Sequence, residues 1–129
     1  QATVEQMLSN LGSNLLLQKK PAAAEPIFRE CLEIHVQARP EDWQRFRALS
    51  QVGNSLLRQE RYAEAEPLLL EAYRGLAERS GAIPARLRAG YLTSAALWLA
   101  ERYEGRDKPE QAAEWREKWE KHRRVGKSD

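Results

Sequence analysis

"LSNLGSNLLLQKKPAAAEPIFREC", Leu8 to Cys31, and "LSQVGNSLLRQERYAEAEPLLLEA", Leu49 to Ala72, decide how this chain folds, because the second is the first written again 41 residues later. Leu8 falls on Leu49, Ser9 on Ser50, Gly12 on Gly53, Leu15 on Leu56, Gln18 on Gln59, and Ala24-Glu25-Pro26 on Ala65-Glu66-Pro67. A repeat of this length is one supersecondary unit that cannot bury its apolar face alone, so the copies must stack. The recurring proline is a property of that unit. Proline inside a helix removes a hydrogen bond and crowds the preceding turn, so it belongs in the first turns of its helix, where few donors are lost.

Each unit divides into two helices. Leu8, Leu11 and Leu15, and again Leu49, Val52 and Leu56, recur at three- and four-residue steps and share one helical face. The pattern breaks at Lys19-Lys20-Pro21 and at Glu60-Arg61-Tyr62, then resumes as Ala24, Ile27, Phe28, Cys31 and as Ala65, Leu68, Leu69, Ala72. Small residues on these faces (Gly12, Gly53, Ala24, Ala65, Ala72) let neighbouring backbones approach closely. A degenerate third copy, "YEGRDKPEQAAEWREKW", matches when shifted by 47, with Tyr103 at the Leu56 place, Pro109 at Tyr62, Ala112 at Ala65 and Trp115 at Leu68. Pro40 and Pro84 suit the first turns of long helices. The pattern predicts an all-α chain of six antiparallel helices at about 3–18, 22–38, 41–60, 62–80, 85–105 and 109–124. It forms three helix-turn-helix repeats, at about 3–38, 41–80 and 85–124, within a single domain. Leu11, Leu15, Phe28, Cys31, Val52, Leu56, Leu69 and Ala72 are the expected core.

Composition excludes several function classes. The 129 residues are 31% charged and 42% hydrophobic, ordinary values for a globular domain. Apolar runs such as Leu15-Leu16-Leu17 are too short to span a membrane. A net charge of +2 does not point to nucleic acid. The basic cluster of Lys121, Arg123, Arg124 and Lys127 suits phosphate contacts as a less favoured alternative, and reads first as cations placed near a helix C-terminus. A single cysteine precludes an internal disulfide and fits a reducing, cytoplasmic setting. Gln1 is not an initiator, and the chain reads as a piece of a longer protein. His35 and His122 lack neighbours at metal-ligand spacing, so neither metal nor cofactor is expected. Cys31 lies at a small-residue packing place, which suits a buried, inert thiol. No catalytic constellation is visible, and the expectation is a non-enzyme.

The pattern L-x-x-L-G-x-x-L, followed by a second-helix alanine, a large apolar residue and a small one, resembles the tetratricopeptide repeat. Gly12 and Gly53 match its first-helix small residue, and Ala24, Ala65 and Ala112 its alanine. Phe28 and Leu69 match its large apolar site, and Cys31 and Ala72 its later small one. The spacing, with "RYAEAEPLL" and a helix opening near "RPEDWQRF", is closer to the kinesin-light-chain type than to the 34-residue form. Much of the chain also looks similar to the repeat tails that follow the catalytic domain in some bacterial serine/threonine kinases. The resemblance implies a right-handed solenoid whose first helices line a concave groove for a peptide or a partner protein.

By the repeat register the inward positions are Gln6, Ser9, Asn10 and Ser13 in unit one, Arg47, Ser50, Gln51, Asn54 and Arg58 in unit two, and Ser94, Leu97, Trp98 and Glu101 in unit three. Arg47 and Arg58 suit an acidic partner. Trp98 suits either a plug beside the degenerate unit or a binding anchor. Leu69, Leu70 and Tyr73 become Arg116, Glu117 and Glu120 in the last unit, a polar face that ends the array. At the other end Met7 and Leu17 form an apolar edge, open to a preceding segment or to self-association.

Overall fold

The computed structural model describes residues 2–104 and 108–128, the last three of these by backbone alone, so the Lys127 side chain lies outside the described residues. Six α-helices follow in order: α1 (Val4–Leu17), α2 (Pro21–Ala38), α3 (Trp43–Arg58), α4 (Tyr62–Glu78), α5 (Ala85–Glu104) and α6 (Pro109–Ser128), with one 3-10 turn at Ser80–Ala82. Each helix packs on the next in the chain, and α3 also touches α5. The fold is therefore an all-α array of adjacent helix pairs, as the periodicity requires.

The turn inside each pair is the same device repeated. Lys19 and Glu60, related by the repeat, both adopt left-handed backbone, with φ of 61° and 59°. In the first turn Lys19 N–H donates to Leu16 O and Lys20 N–H to Leu15 O; in the second, Glu60 N–H donates to Leu57 O and Arg61 N–H to Leu56 O. These paired bonds close a helix C-terminus and reverse the chain. In the third pair Lys108 N–H donates to Tyr103 O, the bond that the shift of 47 demands. Helix starts use side chains instead. Thr3 and Gln6 form a reciprocal capping box on α1, and Asp42 Oδ2 accepts from Gln44 N–H on α3.

Pro26 and Pro67 lie inside α2 and α4. The carbonyls that each would have served belong to Ala22 and Ala63, which are exposed, so water can satisfy them.

Two apolar clusters fill the interior. One joins the C-terminal halves of the first helices to the N-terminal halves of the second: Phe28, Val52, Leu56, Leu69, Leu99 and Tyr103 among others. The second, at the opposite end, holds Phe46, Leu49, Ala72, Leu76, Ile83 and Leu92. All nine repeat positions (Gly12, Ala24, Phe28, Cys31, Gly53, Ala65, Leu69, Ala72 and Ala112) are buried. A Cβ on Gly53 would lie 2.7 Å from Leu69 Cδ2, and one on Gly12 would lie 2.5 Å from the Phe28 ring, so both glycines are there for close approach.

Several expectations need correction. Leu11 is 47% exposed and Leu15 only half-buried, whereas the equivalent Val52 and Leu56 are fully buried. The reason is position in the array, since among the described residues α1 packs mainly on α2 while α3 lies between α2 and α4. Helix α3 begins at Trp43, because the Asp42 cap leaves Pro40 and Glu41 in the preceding turn. Helix α6 continues to Ser128 instead of ending near 124.

Candidate functional site: the wall of first helices

Side chains knit α1, α3 and α5 into one surface. Ser9 Oγ and Gln51 hydrogen-bond between α1 and α3 at 3.1 Å from Gln51 Nε2. Between α3 and α5, Arg58 pairs with Glu101, while Trp43 and Tyr91 stack at 5.6 Å. The Arg47 guanidinium lies over the Tyr91 ring at 5.1 Å. Ser9 and Gln51, and Arg58 and Glu101, four of the expected inward residues, thus meet between neighbouring first helices.

The expected inward residues do not all face outward. Ser9, Ser50 and Asn54 are buried, which corrects their reading as open groove contacts. Ser50 Oγ donates to Arg47 O at 2.6 Å, and Asn54 Oδ1 accepts from Arg58 Nε at 3.0 Å. Their polar atoms complete the wall internally, as buried polar groups must. Arg58 and Glu101 neutralise one another. Gln6 and Asn10 are exposed, while Ser13, Arg47, Gln51, Ser94 and Leu97 are half-buried. Trp98 is half-buried and packs against the first apolar cluster.

Arg47 differs from Arg45 and Arg58, the other arginines of α3, which pair with carboxylates. Arg58, Arg61, Arg79 and Arg102 each pair with a carboxylate. Arg47 has no ion pair among the described residues, and it lines two depressions. One, of about 260 Å³, is shared with Gln6, Ser9 and Asn10. The other, of about 170 Å³, includes His35, Arg39 and Gln44. Tyr91, Trp43, His35 and Arg39 were not on the expected wall. The signal for two of them was present: the three- and four-residue steps Trp43, Arg47, Ser50, Asn54 and Tyr91, Ser94, Trp98, Glu101 extend the wall by one turn. His35 and Arg39 come from a second helix, and sequence spacing within first helices could not reach them.

The one thiol, Cys31 on α2, is poorly suited to covalent chemistry. Burial pushes the Cys31 thiol above its ordinary pKa, and its sulfur donates weakly to Glu5 O at 3.5 Å. Among the described residues no cluster of three potential metal ligands occurs, and no helix is long and apolar enough to cross a membrane.

Comparison with curated proteins and with solved structures returns no match. A family model described as tetratricopeptide repeat matches residues 3–78, the span of the first two helix pairs. Sequence repeat, paired helices and family match agree: the chain belongs to the tetratricopeptide repeat family, whose members are generally protein-interaction modules.

Proposed function

We propose that the wall formed by α1, α3 and α5 is the docking surface for a peptide or partner protein. We take the third helix pair as a divergent repeat of the same array, and the kinesin-light-chain-like spacing and the bacterial kinase-tail setting as its closest context. A cytoplasmic signalling scaffold is the role this suggests. The observation that carries the reading is Arg47: a half-buried guanidinium, held on Tyr91, without an ion pair among the described residues, and sharing a depression with the amides of Gln6 and Asn10. Such a group is prepaid in orientation and lacks only an acceptor. Capture from the native host tests it. Asn10→Ala/Arg47→Ala should fold as the parent does and lose partners that the parent retains; equal recovery by both proteins would refute the wall.

A second reading has its own observation. Val4, Met7, Leu11 and Leu17 on α1 are each about half or more exposed, at 54%, 53%, 47% and 81%. An apolar edge of that kind favours self-association, or docking on another part of the same protein. A concentration-dependent mass in solution, abolished by Met7→Glu/Leu11→Glu, would support it.

A further inference from the structure

From the hydrogen bond between Tyr73 on α4 and His122 in the C-terminal half of α6, we infer a pH-sensitive clasp: protonation of His122 frees that half of α6 and uncovers the aromatic surface of Tyr73 and Trp115. The clasp stands whether or not the wall docks a partner.

Three contacts meet at Tyr73. Its hydroxyl lies 2.7 Å from His122 Nε2, its ring stands edge-on to Trp115 at 4.8 Å, and the imidazole lies 5.8 Å from the same ring. Helix α6 packs mainly on α5, so Tyr73 reaches it from a helix that is not its main neighbour. Tyr73 is itself well seated, since it packs against both apolar clusters. The first half of α6 has fastenings of its own, with Ala112 in the first cluster and Arg116 on Glu104. Loss of the His122 bond therefore loosens the second half and leaves the first as the hinge.

The bond works in one protonation state. Tyr73 Oη makes no other hydrogen bond among the described residues, and a half-buried hydroxyl needs an acceptor for its proton. Imidazole offers one when Nε2 is bare, which puts the proton of the neutral ring on Nδ1. A second proton turns Nε2 into a donor. The phenol oxygen then accepts, but its own proton is left without a partner, and a charged ring has to stay half-buried.

Surrounding charge acts in the same direction. Burial first, then the charges of Lys121 and Lys118 on the same helix, hold the His122 ring below the ordinary histidine 6.5, so it is uncharged at neutral pH. From α4 the facing titratable group is the Tyr73 phenol, which burial pushes up and keeps protonated. No charge on α5 contributes among the described residues. A histidine whose pKa is lowered by the closed state favours release once pH falls below the value of the freed ring, here the ordinary 6.5. Glu104 and Glu120 are both held below 4.5, so their pairs with Arg116 and Arg123 persist while His122 titrates.

The test is an NMR titration of the whole chain from about pH 7.5 to about pH 5.5, the range in which histidine changes charge. Tyr73 ring and Trp115 indole resonances should move in step with protonation of the His122 ring. Amide protection in the second half of α6, corrected for the intrinsic pH dependence of exchange, should fall about fivefold while that of α3 holds. His122→Gln, whose amide oxygen still accepts from Tyr73 and takes no proton, should keep α6 protected throughout. Unchanged α6 protection, an equal fall in His122→Gln, a fall shared by α3, or Tyr73 resonances that follow His35 instead would each overturn the clasp. Should the variant fold poorly, the parent's Tyr73 and His122 titrations decide alone.

Discussion

At the scale of single residues, Lys19 and Glu60 are the non-glycine positions with left-handed backbone among the described residues. Both hold left-handed backbone that the turn requires and that a Cβ disfavours by roughly 1–2 kcal/mol. Both side chains are exposed and enter no hydrogen bond or ion pair, so nothing local offsets that strain. Glycine relieves it, less the extra entropy glycine gives the unfolded chain. Lys19→Gly and Glu60→Gly should each raise unfolding stability by about 0.5–1 kcal/mol in urea melts; a loss of stability would mean the turn is not the source of strain. The sequence marked this turn as a break in the apolar pattern at Lys19-Lys20-Pro21 and Glu60-Arg61-Tyr62. It hid the conformation, because the residue types at the left-handed position are not those that favour it. Burial of Ser9, Ser50 and Asn54 was equally hidden. Short polar residues satisfy local backbone and neighbours as readily as they face solvent, and periodicity alone does not distinguish the two.

At the scale of helices, the repeated Ala-Glu-Pro acquires a physical role. Glu25 on α2 accepts from Gln59 Nε2 at 3.0 Å and from Arg61 Nη1 at 2.6 Å, both at the end of α3. Its repeat equivalent Glu66 on α4 accepts from Arg102 Nη2 at 2.7 Å and Tyr103 Oη at 2.8 Å, both at the end of α5. Each glutamate thus ties its own unit to the next. Burial acts to raise the Glu25 carboxyl, but hydrogen bonds from Gln59 and Arg29 and the charge of Arg61 outweigh it and hold the group below the usual 4.5. A carboxylate depressed in the folded state stabilises fully above its unfolded pKa and loses that contribution as pH falls through the lower folded value. Glu25→Gln should therefore cost roughly 1 kcal/mol at neutral pH, with the gap to the parent closing in acid below about 4.5. Denaturant melts across that range decide it, and a gap that widens in acid would contradict the tie. The second tie is more buried. Arg102 is 6% exposed, its Nε and Nη1 have no hydrogen-bond partner, and it lies over Tyr62 and Tyr103, whose phenol is pushed up to about 12 by burial and by its bond to Glu66. The helices themselves were legible because long amphipathic segments repeat. These ties were not, since they join side chains some 35 residues apart through a geometry that only the stack creates.

At the scale of the molecule, the two ends differ. Helix α6 has a polar outer surface on which Arg116 pairs with Glu104, and Arg123 and Arg124 with Glu120. Its inner side is held by Tyr73, which stacks edge-on to Trp115 at 4.8 Å and hydrogen-bonds His122 Nε2 at 2.7 Å. Arg123 and Arg124 of the basic C-terminal cluster are thereby partly neutralised. Helix α1 has one covered side and an apolar outer edge. In native-state hydrogen exchange the amides of α3 and α4, covered on both sides, should exchange last, and those of α1 early, because a terminal helix opens without disturbing the rest. Protection that is uniform from α1 to α6 would mean the array opens as a single block.

The forward-reaching glutamates also govern how such a chain can grow. The middle unit presents Gln59 and Arg61 to the glutamate behind it and offers Glu66 to the unit ahead. A duplicated middle unit would meet its own copy through Glu66 facing a second Gln59 and Arg61, the junction that Glu25 already makes. The last unit has no such freedom, since Arg102 and Tyr103 receive a glutamate but its polar final helix has none of the Ala-Glu-Pro sequence with which to extend another. Gene duplication or design can therefore lengthen this array from within, one middle unit at a time, and not by adding copies of its closing pair.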